Sequence, residues 1–198
     1  MTHGIIVFGA SGSGTTTLGR ELARMLNFMH LDADDFFWQE SEVPFSIKRP
    51  REECKAKLLA AVKDCRGFVI SGSICGWDEP FLPLFDLAVY VTTPTEIRIE
   101  RLGKREFQRF GSRILAGGDM EDNHRKFIEW AKTYDTAGTE QRSHALHEEW
   151  INNLTCKVLR VDGSADVHET ATQLVQRYGI RPRLNMTIRS AIEADATE

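Results

Sequence analysis

The chain has 198 residues, of which 41% are hydrophobic and 27% charged, and its formal net charge is −4 at pH 7. This composition excludes a largely disordered chain, and the negative charge argues against a general nucleic-acid binder, which usually carries a basic surface. No segment is apolar over the ~20 residues that a membrane-spanning helix needs, and the apolar run from Gly4 to Phe8 is too short for a secretory signal and lacks a basic leader. We therefore expect a cytoplasmic protein with neither a membrane nor a nucleic-acid partner. The sequence does not indicate the oligomeric state.

The pattern of apolar residues alternates between strand and helix signals along the chain. Runs of branched and aromatic residues predict a weak strand at 28–31 and four stronger ones, at 4–8, 67–71, 87–92 and 156–161. Helical periodicity predicts helices at 16–26, 51–63, 94 to about 109, 121–133, 139–153 and 166–178. Such alternation predicts an α/β domain with a parallel sheet and right-handed crossovers.

The region before the last predicted strand departs from this alternation. It contains a glycine-bearing loop at 111–118 followed by two charged helical stretches, and we predict that about 105–152 form a mobile helical lid. The domain is expected to cover 1–180. The remaining 181–198 have no clear hydrophobic period and are expected to form a loosely ordered tail.

The cysteines and histidines do not form a metal-binding pattern. The four cysteines contain no CxxC pair and no zinc-type spacing with the six histidines, so reduced thiols are expected. His124, His144 and His147 have no cysteine or acidic residues at ligand spacing. We expect these three histidines to be exposed on helices.

A glycine-rich segment joins the first predicted strand to the first predicted helix. Its spacing is that of a GxxxxGK[ST] phosphate loop, in which glycines let backbone N–H groups converge on phosphate oxygens at a helix start. A glycine-rich turn without a ligand is the alternative. We predict binding of a nucleoside triphosphate, ATP, with the Thr16 hydroxyl as a Mg²⁺ ligand. The predicted nucleotide-binding residues of the loop are Gly9, Ser11, Gly12, Ser13, Gly14, Thr15, Thr16 and Thr17.

Thr15 stands where such a loop normally has lysine. A threonine hydroxyl can donate one hydrogen bond, but it cannot place a positive charge between the β and γ phosphates. An arginine finger, a cation with a comparable task, contributes about 10³ to 10⁵ in rate. Nucleotide binding is therefore predicted more firmly than catalysis, which needs a cation from another part of the chain.

The loop and several later motifs resemble the nucleoside monophosphate kinase-like P-loop proteins, a group that includes adenylate, shikimate and gluconate kinases. Leu31-Asp32-Ala33-Asp34-Asp35-Phe36-Phe37 is similar to the DxD of shikimate kinases and the DDFF of uridine kinases. The resemblance implies Asp32 near Mg²⁺, and Asp34 or Asp35 orienting or deprotonating an acceptor. Capping of the next segment or solvent exposure is the alternative role for these acids.

Further matches follow the later strands. Gly72, in Val69-Ile70-Ser71-Gly72-Ser73, stands where the related kinases let the acceptor approach the backbone. Arg101 matches the arginine that flanks adenine in this group, and Gly163 and Ser164 lie in a turn similar to the one that contacts the adenine ring. The resemblance implies a five-stranded parallel sheet in the order 2-3-1-4-5, in the three-layer P-loop NTPase fold.

Two basic clusters could supply the missing charge. Arg105, Arg109 and Arg113 recur every four residues, so a continuous helix would carry them on one face toward a polyphosphate. A solvated basic face is the alternative. The second cluster, which fits a clamp for an acceptor phosphate or carboxylate, contains Lys48, Arg49 and Arg51.

These observations predict a Mg²⁺-dependent kinase that transfers the γ-phosphoryl group of ATP to a small-molecule or nucleotide acceptor. The predicted catalytic residues are Asp32, Asp34, Arg105, Arg109 and Arg113, and Asp35 joins the predicted acceptor site. The alternative from another functional class is a nucleotide-binding sensor or interaction protein that lost catalysis with the lysine. A structural domain that binds no nucleotide is a third possibility.

Overall fold

The computed structural model describes residues 3–178, and it contains one five-stranded sheet. All four strand pairs are parallel, and the spatial order is β2-β3-β1-β4-β5, which confirms the predicted topology. The predicted tail at 181–198 lies outside the described residues. The strands are β1 (His3–Gly9), β2 (Met29–Asp32), β3 (Gly67–Ser71), β4 (Phe85–Thr92) and β5 (Lys157–Asp162).

Helices follow each strand and cover both faces of the sheet. The α-helices are α1 (Thr15–Leu26), α2 (Ala33–Phe37), α3 (Arg51–Val62), α4 (Thr95–Phe110), α5 (Glu121–Lys132), α6 (His144–Ile151) and α7 (Val167–Tyr178). Short 3₁₀ turns occupy Leu82–Leu84, Gly111–Ile114 and Thr133–Asp135. None of the helices within 3–178 is long and apolar enough to cross a membrane.

Two hydrophobic cores lie on opposite faces of the sheet. Alternate residues of β1 point to each side, so Ile5 and Val7 pack with α1 and α7, whereas Ile6 and Phe8 pack with α3 and α6. The fold therefore has three layers, helices, sheet and helices, as predicted. Every residue of β3 is buried, as expected for an inner strand of a parallel sheet.

The region between β4 and β5 differs from the predicted pattern at two points. Helix α4 ends at Phe110, because Gly111 follows with φ of +56°, so Arg113 is not on the same continuous helix as Arg105 and Arg109. Helix α6 begins later than predicted because the Ser143 side chain caps it, accepting a hydrogen bond from the Leu146 amide. The prediction of one basic helical face was therefore wrong at its last member.

The predicted exposure of the lid histidines was wrong for His147. Its side chain is fully buried against Phe8, with ring centroids 5.3 Å apart, and Trp150 of the same helix packs on Phe8 as well. His124 is half-buried, and only His144 is exposed. All four cysteines are unpaired; one is buried and the other three are half-buried.

Candidate nucleotide and acceptor site

The loop between β1 and α1 has a backbone that requires glycine. Gly12 and Gly14 have φ angles of +82° and +99°, a conformation that side chains with a Cβ rarely adopt. A Cβ on Gly12 would also lie 2.6 Å from the Arg98 carbonyl oxygen. Helix α1 starts without a side-chain cap, so the first N–H groups remain available to an anion. These features fit a cradle for phosphate groups.

The carboxylate at the end of β2 contacts the start of α1. Thr16 Oγ1 donates a 2.9 Å hydrogen bond to Asp32 Oδ2, while Asp32 Oδ1 accepts one from the Asp34 amide and caps α2. A hydroxyl and a carboxylate held together beside a phosphate cradle are oxygen ligands of the kind that Mg²⁺ prefers. Thr16 and Asp32 could therefore hold this ion, and Asp32 also has the capping role considered as its alternative.

The turn after β5 packs directly on the phosphate loop. The Gly163 amide donates to the Thr92 carbonyl at 2.8 Å, and a Cβ on Gly163 would collide with the Ser13 carbonyl oxygen. Asp162 holds the turn by accepting hydrogen bonds from both the amide and the hydroxyl of Ser164. Only glycine fits this close approach, so the turn and the loop form one continuous wall.

Arg101 connects α4 to the same wall. Its Nη1 donates to the Gly163 carbonyl at 2.9 Å and lies 3.8 Å from the position of a Cβ on Gly14. The structure thus brings together the three groups that the kinase resemblance assigned to the nucleotide: the loop, the arginine and the turn.

Asp34 follows the end of β2 and lies within the electrostatic range of several guanidinium groups; we call the space between them the cleft. Its carboxylate is reached by solvent, yet protein atoms surround most of it, and this partial desolvation raises the pKa of Asp34. The positive charge of Arg142 opposes the rise in pKa, the negative charge of Asp32 adds to it, and the charges of Arg105 and Arg109 oppose it. Desolvation and the charges of Asp32 and Asp34 likewise raise the pKa of Asp35.

The predicted lid arginines do not act together. Arg105 has a buried Nε without a hydrogen-bond partner in the described chain, so it retains a free donor, and Arg109 lies over the Phe45 ring at 5.8 Å. Arg113 instead pairs with Asp119, with Nη2–Oδ2 and Nε–Oδ1 distances of 2.6 and 3.0 Å. Arg105 and Arg109 thus flank the cleft, whereas the carboxylate of Asp119 occupies Arg113.

Arg142 is a cation that the sequence reasoning missed. It is half-buried one residue before the Ser143 cap, and its guanidinium stacks over Trp130 at 5.9 Å. Within 3–178 it forms no ion pair with a carboxylate at salt-bridge distance. Its position inside the predicted lid was the one signal available.

The second predicted cluster is divided among different contacts. Arg49 donates to the carbonyls of Phe36 and Trp38 and pairs with Glu53, so its guanidinium stabilises the loop after α2. Arg51 is exposed and lies 3.6 Å from a Cβ position on Gly76, and Lys48 is exposed. These two side chains remain candidates for contacting an acceptor.

Gly72 lies where β3 ends beside the carboxylates. Its φ is +103°, and a Cβ would lie 3.1 Å from the Cβ of Ala33, the residue before Asp34. The close packing of the two strand ends forms the floor of the cleft.

Comparison with known proteins agrees with this geometry. The family model described as an AAA domain matches residues 5–110, which is more than half of the chain. The chain belongs to this family. The "Uncharacterized protein YqaC" of Bacillus subtilis (strain 168) is 40% identical over 175 residues, which cover 88% of this chain and 97% of that protein.

Named kinases are found among the other relatives of this AAA domain family member. A cytidylate kinase of Thermococcus sibiricus is 31% identical over 133 residues, covering 62% of this chain and 67% of that enzyme. The structure of an Acinetobacter baumannii shikimate kinase has a TM-score of 0.51 at 19% identity, covering 92% of this chain and 95% of that one. The resemblance to kinase-like P-loop proteins is confirmed.

Proposed function

We propose that the protein transfers the γ-phosphoryl group of ATP, with Mg²⁺, to a small-molecule or nucleotide acceptor. The P-loop kinase fold implies nucleotide binding; the step to catalysis is our proposal. The observation that supports it is the arrangement around Asp34. This residue lies two positions after Asp32, which is hydrogen-bonded to Thr16, and the charges of Arg142, Arg105 and Arg109 act on its pKa.

Each part of the site has a role in this proposal. The N–H groups of the loop and of the first turn of α1 bind the phosphates of ATP, and Arg101 with the Gly163 turn flanks the adenine ring. Thr16 and Asp32 would hold Mg²⁺. When bound, this ion would neutralise charge on the phosphate oxygens.

The reaction itself forms one phosphorus–oxygen bond and breaks another. An acceptor oxygen attacks the γ-phosphorus, and the bond from the γ-phosphorus to the β–γ bridging oxygen breaks, so that ADP leaves. If the acceptor is a hydroxyl, its proton passes to the Asp34 carboxylate, whose raised pKa makes it a better base. If the acceptor is a phosphate oxygen, no proton is released and Asp34 orients the acceptor.

The lid arginines supply the charge that Thr15 lacks. Arg142 is not occupied by a carboxylate within 3–178, and Arg105 retains an unbonded Nε. Arg105 also has a 3.4 Å ion pair from Nη2 to Glu106, so its Nε is the donor left for a ligand. Charged guanidinium donors bind phosphoryl oxygens strongly. We therefore assign stabilisation of the transferred group to Arg142 and Arg105, with Arg109 as a third contributor.

A nucleoside monophosphate is the first acceptor to test. Cytidylate kinases are among the relatives, and the exposed cations Lys48 and Arg51 offer contacts to an acceptor phosphate. Asp35 and Gly72 complete the acceptor site in this proposal. Shikimate, gluconate and simple nucleosides form the rest of the panel, because the solved structure of a shikimate kinase shares the fold and the sequence motifs resemble those of gluconate and uridine kinases.

The test combines thermal melting with a coupled assay for ADP. Saturation with MgATP at about 100 times its dissociation constant should stabilise the fold by about 2.7 kcal/mol, and one acceptor of the panel should accelerate ADP release. ATP binding without turnover of any acceptor would contradict the kinase proposal. Failure of ATP, ADP, GTP and GDP to raise the melting temperature would instead favour a structural domain.

Thr15 favours a second candidate function, a nucleotide-binding sensor without phosphoryl transfer. The Thr15→Lys variant distinguishes the two. In a kinase that uses lid arginines, the added cation crowds the site, so turnover of the acceptor should stay level or fall. In a sensor, the variant should at most gain slow ATP hydrolysis. An increase in acceptor turnover would contradict our assignment of the charge to the lid.

A further inference from the structure

Four hydrogen bonds join five side chains into one continuous chain through the α3/α6 face of the molecule. His144 Nδ1 lies 2.9 Å from the Tyr90 hydroxyl, which lies 2.8 Å from the Tyr134 hydroxyl. The Tyr134 hydroxyl lies 2.7 Å from His147 Nδ1, and His147 Nε2 lies 3.1 Å from Ser73 Oγ. The proposed phosphoryl transfer does not use any of these groups.

This series of hydrogen-bonded side chains has one end at the protein surface and the other beside the acceptor cleft. His144 is exposed and lines a cavity of about 520 Å³. Ser73 follows Gly72 at the carboxyl end of β3, and a Cβ on Gly72 would lie 3.1 Å from the Cβ of Ala33, the residue before Asp34. Ser73 therefore belongs to the same wall of the cleft as Gly72 and Ala33.

The three middle members of the chain stay neutral. Burial raises the pKa of the Tyr90 and Tyr134 phenols, so both keep their protons, and it lowers the pKa of His147 to about 3. A phenol has one proton to donate, and a neutral imidazole has one donor and one acceptor nitrogen. The hydrogen bonds must therefore all run in one direction along the chain.

With His144 neutral, the direction is toward the cavity. Glu148 Oε1 lies 3.8 Å from His144 Nε2 and favours the proton on that nitrogen, so Nδ1 accepts from Tyr90. Tyr134 then donates to Tyr90, and His147 Nδ1–H donates to Tyr134. His147 Nε2 is left as an acceptor, so Ser73 donates to it and presents only oxygen lone pairs to the cleft.

Protonation of His144 reverses this direction. His144 Nδ1–H then donates to Tyr90, which donates to Tyr134, which donates to His147 Nδ1. His147 now carries its proton on Nε2 and donates to Ser73, whose own proton becomes available to the cleft. The alternative is a buried Tyr90 hydroxyl without an acceptor, which would cost about 1–3 kcal/mol. One proton is taken up from water, and only O–H and N–H bonds change.

We propose that Ser73 is a positioning residue for the acceptor, and that the protonation state of His144 decides whether Ser73 presents a hydrogen-bond donor or an acceptor. The groups around His144 belong to several elements. Glu148 lies on its own helix and is paired with Arg160 of β5, which also stacks over Tyr90; the other charged or titratable groups of its cavity are Tyr134, Asp135 and Asp162.

Imidazole ¹⁵N NMR of the whole labelled protein tests this coupling without any substrate. His144 and His147 are followed between pH 5 and 8, and the midpoint is read from the signals of His144 itself. We expect His147 to remain neutral throughout and to move its proton from Nδ1 to Nε2 as His144 becomes protonated. A His147 tautomer that does not change across this midpoint would overturn the proposal.

Two variants and one control separate coupling from local effects. His144→Ala removes the exposed end and should make the His147 tautomer independent of pH, whereas His168→Ala, at an exposed histidine of α7, should leave the change in place. Tyr134→Phe should also abolish the change, and a change that persists in Tyr134→Phe or His144→Ala would contradict the proposed path.

The contact between Ser73 and an acceptor rests on the proposed function. With the acceptor found in the panel, Ser73→Ala should raise the KM for that acceptor several-fold and leave the KM for ATP unchanged. Equal effects on both KM values would contradict the positioning role. The NMR result does not require an acceptor, so an inactive protein with coupled histidines would overturn the kinase proposal alone.

Discussion

The two sides of the cleft are built in different ways. On the nucleotide side, backbone packs against backbone: Gly12 and Gly163 approach neighbouring carbonyl oxygens so closely that no Cβ fits. On the acceptor side, charged side chains from separate segments act on one another electrostatically: Asp34 lies on α2, Arg105 on α4, and Arg142 just before the Ser143 cap of α6.

This difference separates binding from catalysis. A backbone cradle can hold phosphates whatever residue stands at Thr15, because the amides and the helix start do not depend on that side chain. Stabilising a transferred phosphoryl group requires charge, and here the charge lies across the cleft. In the proposed reaction the lid must therefore be in place for catalysis but not for nucleotide binding, and variants on the two sides should differ accordingly.

The largest expected effect is on the acceptor side, from Arg142→Ala. If Arg142 replaces the loop lysine, kcat should fall by about 10³ to 10⁵, as when an arginine finger is removed. The affinity for ATP, measured by calorimetry, should change much less. Arg142→Lys should recover only part of the rate, because an ammonium group lacks the planar fork of donors.

Arg125→Ala is the matched control for this variant. Arg125 is an exposed arginine of the same lid region that pairs with Asp122 on α5. Its removal should leave both kcat and ATP affinity unchanged. Equal losses in the two variants would point to a general effect on lid folding and would remove the distinction drawn between the two sides.

The next effect is on the nucleotide side, from Gly12→Ala. The added Cβ would lie 2.6 Å from the Arg98 carbonyl oxygen, and the backbone φ of +82° is one that alanine rarely adopts. We expect the free energy of unfolding to fall by about 1–3 kcal/mol and the ATP-induced rise in melting temperature to disappear. Denaturant unfolding and thermal melting measure the two quantities.

Gly103→Ala, on the neighbouring helix α4, should change the free energy of unfolding in the opposite direction. Gly103 lies within α4, and no atom lies within 4 Å of its Cβ position. Replacing glycine by alanine inside a helix should therefore stabilise the fold by about 1 kcal/mol while ATP binding persists. If Gly12→Ala were tolerated as well as Gly103→Ala, the nucleotide side would not depend on its close backbone packing.

The same division explains what the sequence could predict. The strands lie within two residues of their predicted positions. The inner strands β1 and β3 are buried on both faces and appear as continuous apolar runs, and the phosphate loop is a contiguous motif. Arg142 could not be found in this way. Its place near Asp34 depends on how the lid folds back, which includes the contact of the buried Arg98 with Asp135.

His147 shows the same limit at the level of one helix. His147 and Trp150 are three residues apart and share the buried face of α6, but the charged residues around them favoured a solvent-exposed helix. The hydroxyl groups that bind this histidine come from Ser73, just after β3, and from Tyr134 in the 3₁₀ turn at Thr133–Asp135. Long-range contacts of this kind leave no periodic signal in the sequence.

The smallest expected effect concerns this buried imidazole on the acceptor side. Burial lowers the pKa of His147 from 6.5 to about 3, so the unfolded chain binds a proton below pH 6.5 that the folded chain does not. The contribution of His147 to stability is thus complete above pH 6.5 and is lost as the pH falls toward 3. The slope of the free energy of unfolding against pH from this residue is at most about 1.4 kcal/mol per pH unit.

In His147→Gln, which keeps a donor and an acceptor but cannot be charged, denaturant unfolding should show a weaker loss of stability between pH 6.5 and 4.5. The exposed neighbour variant His144→Gln should keep most of the slope, and a slope that is the same in all three proteins would mean that His147 is protonated in the folded state.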